Sequence, residues 1–293
     1  MAEPSSPLDL MKGWLQRQLP DDAWNWVADA ADALSVGAAD RDLYLAVSLV
    51  PRKIGKADLE LTVSDFAAAD QARPGWQPIG WSVDQAARLV IMLSATPDAA
   101  EFSRRLDQLC VTADVRELIA FCRGLPLYPD QPRYHARAGE GLRTNIKAVF
   151  EGVAHHNPYP VEQLDENAWN QMVLKAIFVG APLDPIQGLD GRRNVDLAQK
   201  LVDYAHERWA ASRAITPELW RMVGPFADAK IVEDLRQPLS SEQLVERQAA
   251  ALALSECPLD EAHVLLSENS DLKSAIEAGA VSWETVCRDA PKP

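Results

Sequence analysis

The chain is poor in the features that usually announce a function. Its 293 residues hold no apolar run that could cross a bilayer. The longest, Leu43–Val50, falls far short of the about 20 residues a span needs. Direct membrane insertion is not expected. Met1–Pro7 has neither a basic segment nor an apolar stretch, so no signal peptide is expected there. Cysteine is scarce: Cys110, Cys122, Cys257 and Cys287 are the four, and none stands in a CxxC pair. Free, buried thiols in a reducing cytoplasm are the expectation. There is no Gly-x-Gly-x-x-Gly, no Walker loop, no Gly-x-Ser-x-Gly elbow and no Cys–His signature, so a classical nucleotide fold and the common nucleophilic hydrolases lack support. His206-Glu207 starts like a zinc motif, but Ala210 stands where the second histidine belongs. Neither a metal nor a cofactor is expected.

Positive charge is also in short supply. The net charge is −14. Between Arg133 and Phe226 eleven basic residues balance eleven acidic ones; the flanks carry eighteen basic and thirty-two acidic residues, which is the whole excess. Four of the five histidines, His135, His155, His156 and His206, lie in the balanced block. An acidic shell argues against nucleic acid and anionic membranes as partners.

What is present is helical periodicity. Leu142, Ile146, Val149, Phe150 and Val153 repeat as one helix face would, and so do Trp169, Met172, Val173 and Ala176. Leu197, Leu201, Tyr204 and Ala205 form another stripe, which the stem of Arg208 can complete. Strand alternation is absent. Thr96-Pro97 and Thr216-Pro217 each read as an N-cap before a first-turn proline, and Ser240-Ser241-Glu242-Gln243 as a capping box. Prolines such as Pro51 and Pro158 fall where helices should stop. The expected fold is all-α, a helical array or HEAT-like α-solenoid of about a dozen or more short helices. An N-terminal helical region over 8–123 and a core over 131–287 are expected, with Asp70–Gly80 as the linker candidate and HEAT-like units at the C-terminal end. They are expected to form one continuous array. Residues 1–7 and 290–293 carry the signs of disorder.

The densest chemistry lies in Tyr134–Asn145. This stretch holds His135, Arg137, Glu140, Arg143 and Asn145 around Gly139 and Gly141. Each interior glycine costs a helix about 1 kcal/mol relative to alanine, so a helix under no other demand would avoid them. Arg137, Glu140 and Thr144 would share one helix face, with Arg143 near Glu140. Forked guanidinium groups suit a carboxylate or phosphate, and glycines admit a ligand or another backbone. A buried helix junction held by Arg–Glu pairs explains the same residues. His155-His156-Asn157-Pro158 reads mainly as a helix stop; a continuous helix would put His155 roughly 30 Å from His135. Gly188–Asn194 is a polar loop with Asp190 and Arg192, closed by Asn194 as N-cap. Trp76 and Trp81 flank a Pro/Gly loop and either pack it down or offer a partner an anchor.

Several of these runs together resemble the EboA family. They are Tyr134–Arg143, Asn157-Pro158-Tyr159-Pro160, Trp169–Ala176, Gln187–Arg192, Asp203–Trp209 and Leu219–Phe226. The likeness is clear over about 125–255 and general before that. It implies a bacterial protein of the ebo gene cluster. That cluster also encodes a UbiA-like prenyltransferase, a relative of dehydroquinate synthase, a TatD-like hydrolase and a sugar-isomerase relative, and it is associated with making or exporting a secondary metabolite. The resemblance supplies no catalytic residues.

Three functions follow as expectations. The first is a cytoplasmic helical protein that binds a small anionic or cyclitol-like metabolite, or a partner enzyme of the ebo cluster. Arg137, Arg143, Asn145, Asp190, Arg192, His206 and Arg208 are the candidate ligand contacts. The second is an enzyme on a phosphorylated or cyclitol-like intermediate, with His135 or Glu140 as general acid–base. The third, a metal protein built on the His206-Glu207 dyad, is weak.

Overall fold

The structure is a computed structural model that describes residues 5–37, 39–95 and 98–291. Among these residues every regular element is an α- or 3₁₀-helix, and the β features reduce to one isolated bridge between Asp58 and Ser82. The all-α expectation holds. No helix among the described residues is long and apolar enough to cross a membrane. The chain forms two compact units, Met1–Asp165 and Glu166–Pro293.

The first unit is built around the helix Val83–Ala95. Every residue from Val83 to Met92 is buried, the polar Asp84, Gln85 and Arg88 included. The helices Pro7–Gln18, Asp21–Ser35, Asp40–Ile54 and Val115–Arg123 enclose it. Two charged residues lie inside this core. Asp84 and Arg88 are 0% and 1% exposed and pair at 2.5 Å, one helical turn apart. Arg116 and the Ser82 hydroxyl also donate to Asp84, at 2.8 and 2.6 Å. Glu117 adds a second carboxylate 3.8 Å from Arg88, whose Nε has no hydrogen-bond partner; burying a charge is tolerable only with such pairing.

Asp70–Gly80 is no linker. Trp76 is buried in an aromatic cluster with Trp14 and Trp81, and Arg73 donates to the Pro126 carbonyl and pairs with Glu162. The two tryptophans pack their loop onto the unit. The division at 165/166 leaves residues 131–165 in the first unit, because the helix His135–Arg143 packs on Lys147–Ala154, which packs on Val115–Arg123.

That pairing corrects another expectation. Leu142 and Ile146 do not share a helix. The chain leaves helical geometry at Thr144 and re-enters after Ile146, which is 40% exposed. The break comes just after the glycines, and it folds the two helices into a hairpin. Apolar periodicity ran through the break because Leu142 and Val149 each face the core from their own helix.

The second unit gathers around Leu244–Glu256, in which Ala249–Leu254 are all buried. The short helices Leu219–Val223, Arg236–Leu239, Asp260–Ser267, Ser270–Glu277 and Trp283–Asp289 pack on it. Glu166–Val179 packs on Val195–Ala210, whose first turn Asn194 caps by accepting from the Leu197 amide. Some helix signals were misplaced. Ser240 ends one helix and the next begins at Leu244, so no capping box forms there. Pro51 lies within Asp40–Ile54, in its last turn. Thr216-Pro217 sits in a turn just ahead of Leu219–Val223. Thr96-Pro97 lies outside the described residues, as do 1–4 and 292–293; Pro7 already opens a helix capped by Ser6.

Candidate functional site

The Tyr134–Asn145 stretch is a 3₁₀ turn, Gln131–Tyr134, running into the helix His135–Arg143. Tyr134 is fully buried, with its ring against Phe102 and Tyr128 and its hydroxyl donating to the Pro129 carbonyl. This anchor sets the rotation of the helix and turns Arg137 and Glu140 toward the preceding helices. Arg137 donates from Nε to Asp107 and from Nη1 to Glu140, both at 2.6 Å. Asp107 comes from the helix Ala99–Thr112. Glu140 therefore pairs with Arg137, not with Arg143.

Arg137 and Glu140 stand at the edge of a cavity of about 220 Å³. Its walls are Leu106, Leu118, Phe121 and Val149, and the thiols of Cys110 and Cys122 line it too. Burial pushes Cys110 up to about 11, with Arg137 pulling the other way, and pushes Cys122 up to about 12. Both are protonated, weakly nucleophilic thiols at neutral pH. Burial alone would lower the Arg137 guanidinium's pKa, but its bond to Asp107 and the charges of Asp107 and Glu140 hold it above the ordinary value. The rim thus carries one cation between two carboxylates. It is not an open anion receptor.

The two glycines have separate causes. A Cβ on Gly141 would lie 2.7 Å from Val153 Cγ2 and 3.1 Å from the Cys122 sulfur, so Gly141 lets three helices meet. A Cβ on Gly139 would meet the tip of Arg143, whose guanidinium lies back across it at 3.0 Å. Arg143 and Asn145 are exposed and are not among the cavity's lining residues. His135 uses both ring nitrogens on backbone: Nδ1 is 2.8 Å from the Pro132 carbonyl oxygen and Nε2 is 2.6 Å from that of Gln163. It ties the 3₁₀ turn to the helix Tyr159–Gln163.

The remaining candidates belong to the second unit. Asp190, itself exposed, accepts two hydrogen bonds from Arg221, both 2.9 Å, which brace its loop. Those bonds hold the Asp190 carboxyl below the ordinary range. Arg192 lies 4.6 Å over the ring of buried Trp169. His206 bonds Asp234 at 2.7 Å, and Arg208 donates twice to the Ala214 carbonyl, closing the turn after its helix. Among the described residues no group of three or more His, Cys, Asp or Glu could hold a metal.

Asp107, Cys110 and Asp84–Arg88 escaped the reading of the sequence. The first two lie about thirty residues before Arg137, and no local spacing joins them. Asp84–Arg88 did leave a signal: an i, i+4 charged pair inside Val83–Ala95, where every other residue except Gln85 is apolar or small.

No curated protein and no solved structure matches the chain. The family model described as metabolite traffic protein EboA matches residues 8–224. The match thus reaches back to the first helix, well before the clearest motifs, and stops short of residues 225–255. It spans most of the chain and includes the whole cavity with Arg137 and Glu140, and on it the protein belongs to the EboA family.

Proposed function

We propose that this chain is a metabolite-binding protein whose ligand enters the cavity beside Arg137 and Glu140. The observation that carries the proposal is the composition of that cavity. Its walls are apolar, its rim holds a positioned Arg–carboxylate pair, and it lies within the segment that places the chain in a metabolite traffic family. Ligand pockets elsewhere combine apolar walls with a few fixed polar groups in this way. At about 220 Å³ the cavity is smaller than the roughly 300–1,000 Å³ of drug-sized pockets. It suits a small metabolite, or the apolar end of a larger one whose polar part stays at the rim. A neutral hydroxylated group could accept from Arg137 and donate to Glu140. An anionic ligand would have to displace Asp107 or Glu140 from the guanidinium first. Within a cytoplasmic pathway of secondary metabolism, such a protein would carry an intermediate or present it to a partner enzyme. The reading as an enzyme with Glu140 or His135 as acid–base has less support, since both nitrogens of His135 face backbone carbonyls.

Native mass spectrometry of the full chain, purified from cells that make the pathway product, tests the proposal. Wild type should carry a small molecule that denaturation releases. Arg137→Met and the cavity-filling Leu118→Trp should lack it. If wild type carries nothing while Arg137→Met still abolishes product, the site serves a protein partner. If neither variant changes product or bound mass, this cavity is not the site.

A further inference from the structure

The same helix pair, Val115–Arg123 and Lys147–Ala154, also contributes to a second cavity, of about 210 Å³, with a different character. Arg123, Glu151, His155, His156 and Trp81 line it. Arg123 is largely buried and short of counter-charge. Its Nη1 donates to two neutral oxygens, the Gly80 carbonyl and Gln85 Oε1, both at 2.7 Å. Among the described residues it forms no ion pair with a carboxylate. Burial accordingly pushes its guanidinium below the usual value, and Glu151 counters this only from a distance. Glu151 has Lys147 at 3.9 Å. Elsewhere in the first unit buried or half-buried arginines are matched by acids, as Arg88 is by Asp84 and Arg137 by Asp107. A buried cation without such a match is costly unless something supplies the missing charge.

His155 and His156 line the same cavity as this cation, at a corner the backbone fixes. His156 takes a left-handed conformation, φ 52°, where the chain turns out of the helix. Asn157 fixes that corner with all its side-chain bonds: its amide donates to the Cys122 and Gly152 carbonyls at 3.2 Å, and its oxygen accepts from the Tyr159 amide. The geometry points to an oxyanion seat here: we infer that this cavity takes a phosphate or carboxylate group, held by the open side of the Arg123 fork with His155 and His156 around it. A fork that already spends Nη1 on neutral oxygens still presents Nε and Nη2, which suit two oxygens of one anion. The inference is independent of what occupies the cavity beside Arg137.

Calorimetric titration of the full chain with inorganic phosphate, and separately with acetate, tests it, with sodium chloride holding ionic strength constant. Wild type should bind at least one of the two saturably, and the preference identifies the oxyanion. Arg123→Gln should weaken that binding at least tenfold. His156→Asn keeps a residue that accepts left-handed backbone and removes the imidazole; it should weaken binding severalfold with an unchanged circular dichroism spectrum. If Arg123→Gln does not fold, His156→Asn decides. No saturable binding of either anion by wild type overturns the inference. So does a His156→Asn protein that titrates like wild type.

Discussion

The pair Gly139 and Gly141 separates a packing explanation from a local functional one. Both are in the same helix, two residues apart, and neither has a positive φ. Replacing either by alanine gains about 1 kcal/mol of helix propensity. At Gly139 the new methyl meets only the guanidinium tip of exposed Arg143, a flexible group that can swing aside. Gly139→Ala should therefore be stabilising by about 1 kcal/mol. At Gly141 the methyl lands 2.7 Å from Val153 Cγ2 and 3.1 Å from the Cys122 sulfur. Both neighbours sit on buried helices that must move, and overpacking of this kind costs about 1–3 kcal/mol. After the propensity gain, Gly141→Ala should fall between neutral and about 2 kcal/mol destabilising. The two variants should differ by about 1–3 kcal/mol, with Gly139→Ala the more stable. Urea unfolding followed by tryptophan fluorescence measures the difference. Equal stability, or a more stable Gly141→Ala, would refute the helix-contact account of Gly141.

Asp84→Ala should destabilise by about 3–5 kcal/mol, because it leaves the 1%-exposed Arg88 with only the longer 3.8 Å contact to Glu117; a chemical melt close to wild type would show that the pair does not hold the first unit. Under native conditions at pH 8, Cys110 and Cys122 should react slowly with a disulfide reagent, since burial keeps them near 11 and 12; after denaturation without reductant four thiols should titrate. Glu218 is 5% exposed and its carboxyl is raised by burial, against opposing bonds from Cys287 and the Leu183 and Asp184 amides. A raised folded-state value means that its stabilisation is complete below the unfolded value, near 4.5, and is lost as pH rises through the folded value. Glu218→Gln should thus gain on wild type as pH climbs above 4.5, and parallel stability curves for the two proteins would contradict this.

Helix type was legible because burial follows the 3.6-residue period within each helix: Trp169, Met172, Val173 and Ala176 are all buried, as are Leu197, Leu201 and Ala205. Helix ends were less legible. At Thr144–Ile146 two helices meet with their apolar faces nearly in phase, so the break is silent in the pattern. Around Ser240–Gln243 the capping letters occur without the geometry, because Ser240 is already closing the previous helix. For the candidate site, Arg137 and Glu140 were legible from local density. Their surroundings were not. Asp107 and Cys110 reach the cavity through tertiary packing, and only that packing reveals that Arg137 is already claimed by two carboxylates. Arg123, whose hydrogen bonds go to the neutral Gly80 carbonyl and Gln85 Oε1, is marked by no local motif.

The family match ends at Gly224, but the second unit does not. A Cβ at Gly224 would lie 2.8 Å from the Ala253 carbonyl oxygen and 2.9 Å from its Cα, so the last matched residue is in close contact with the helix Leu244–Glu256. Arg193, in the matched loop, donates to the Arg221 carbonyl and pairs with Glu256, and Glu256 in turn accepts from the Trp283 indole. Glu218, buried within the match, is bonded by Cys287 near the C-terminus. Residues beyond 224 therefore pack against matched residues of the second unit. Within the second unit, the matched residues 166–224 pack with Leu244–Glu256 and Trp283–Asp289, and the Asp190–Arg221 brace is held from both sides of that boundary.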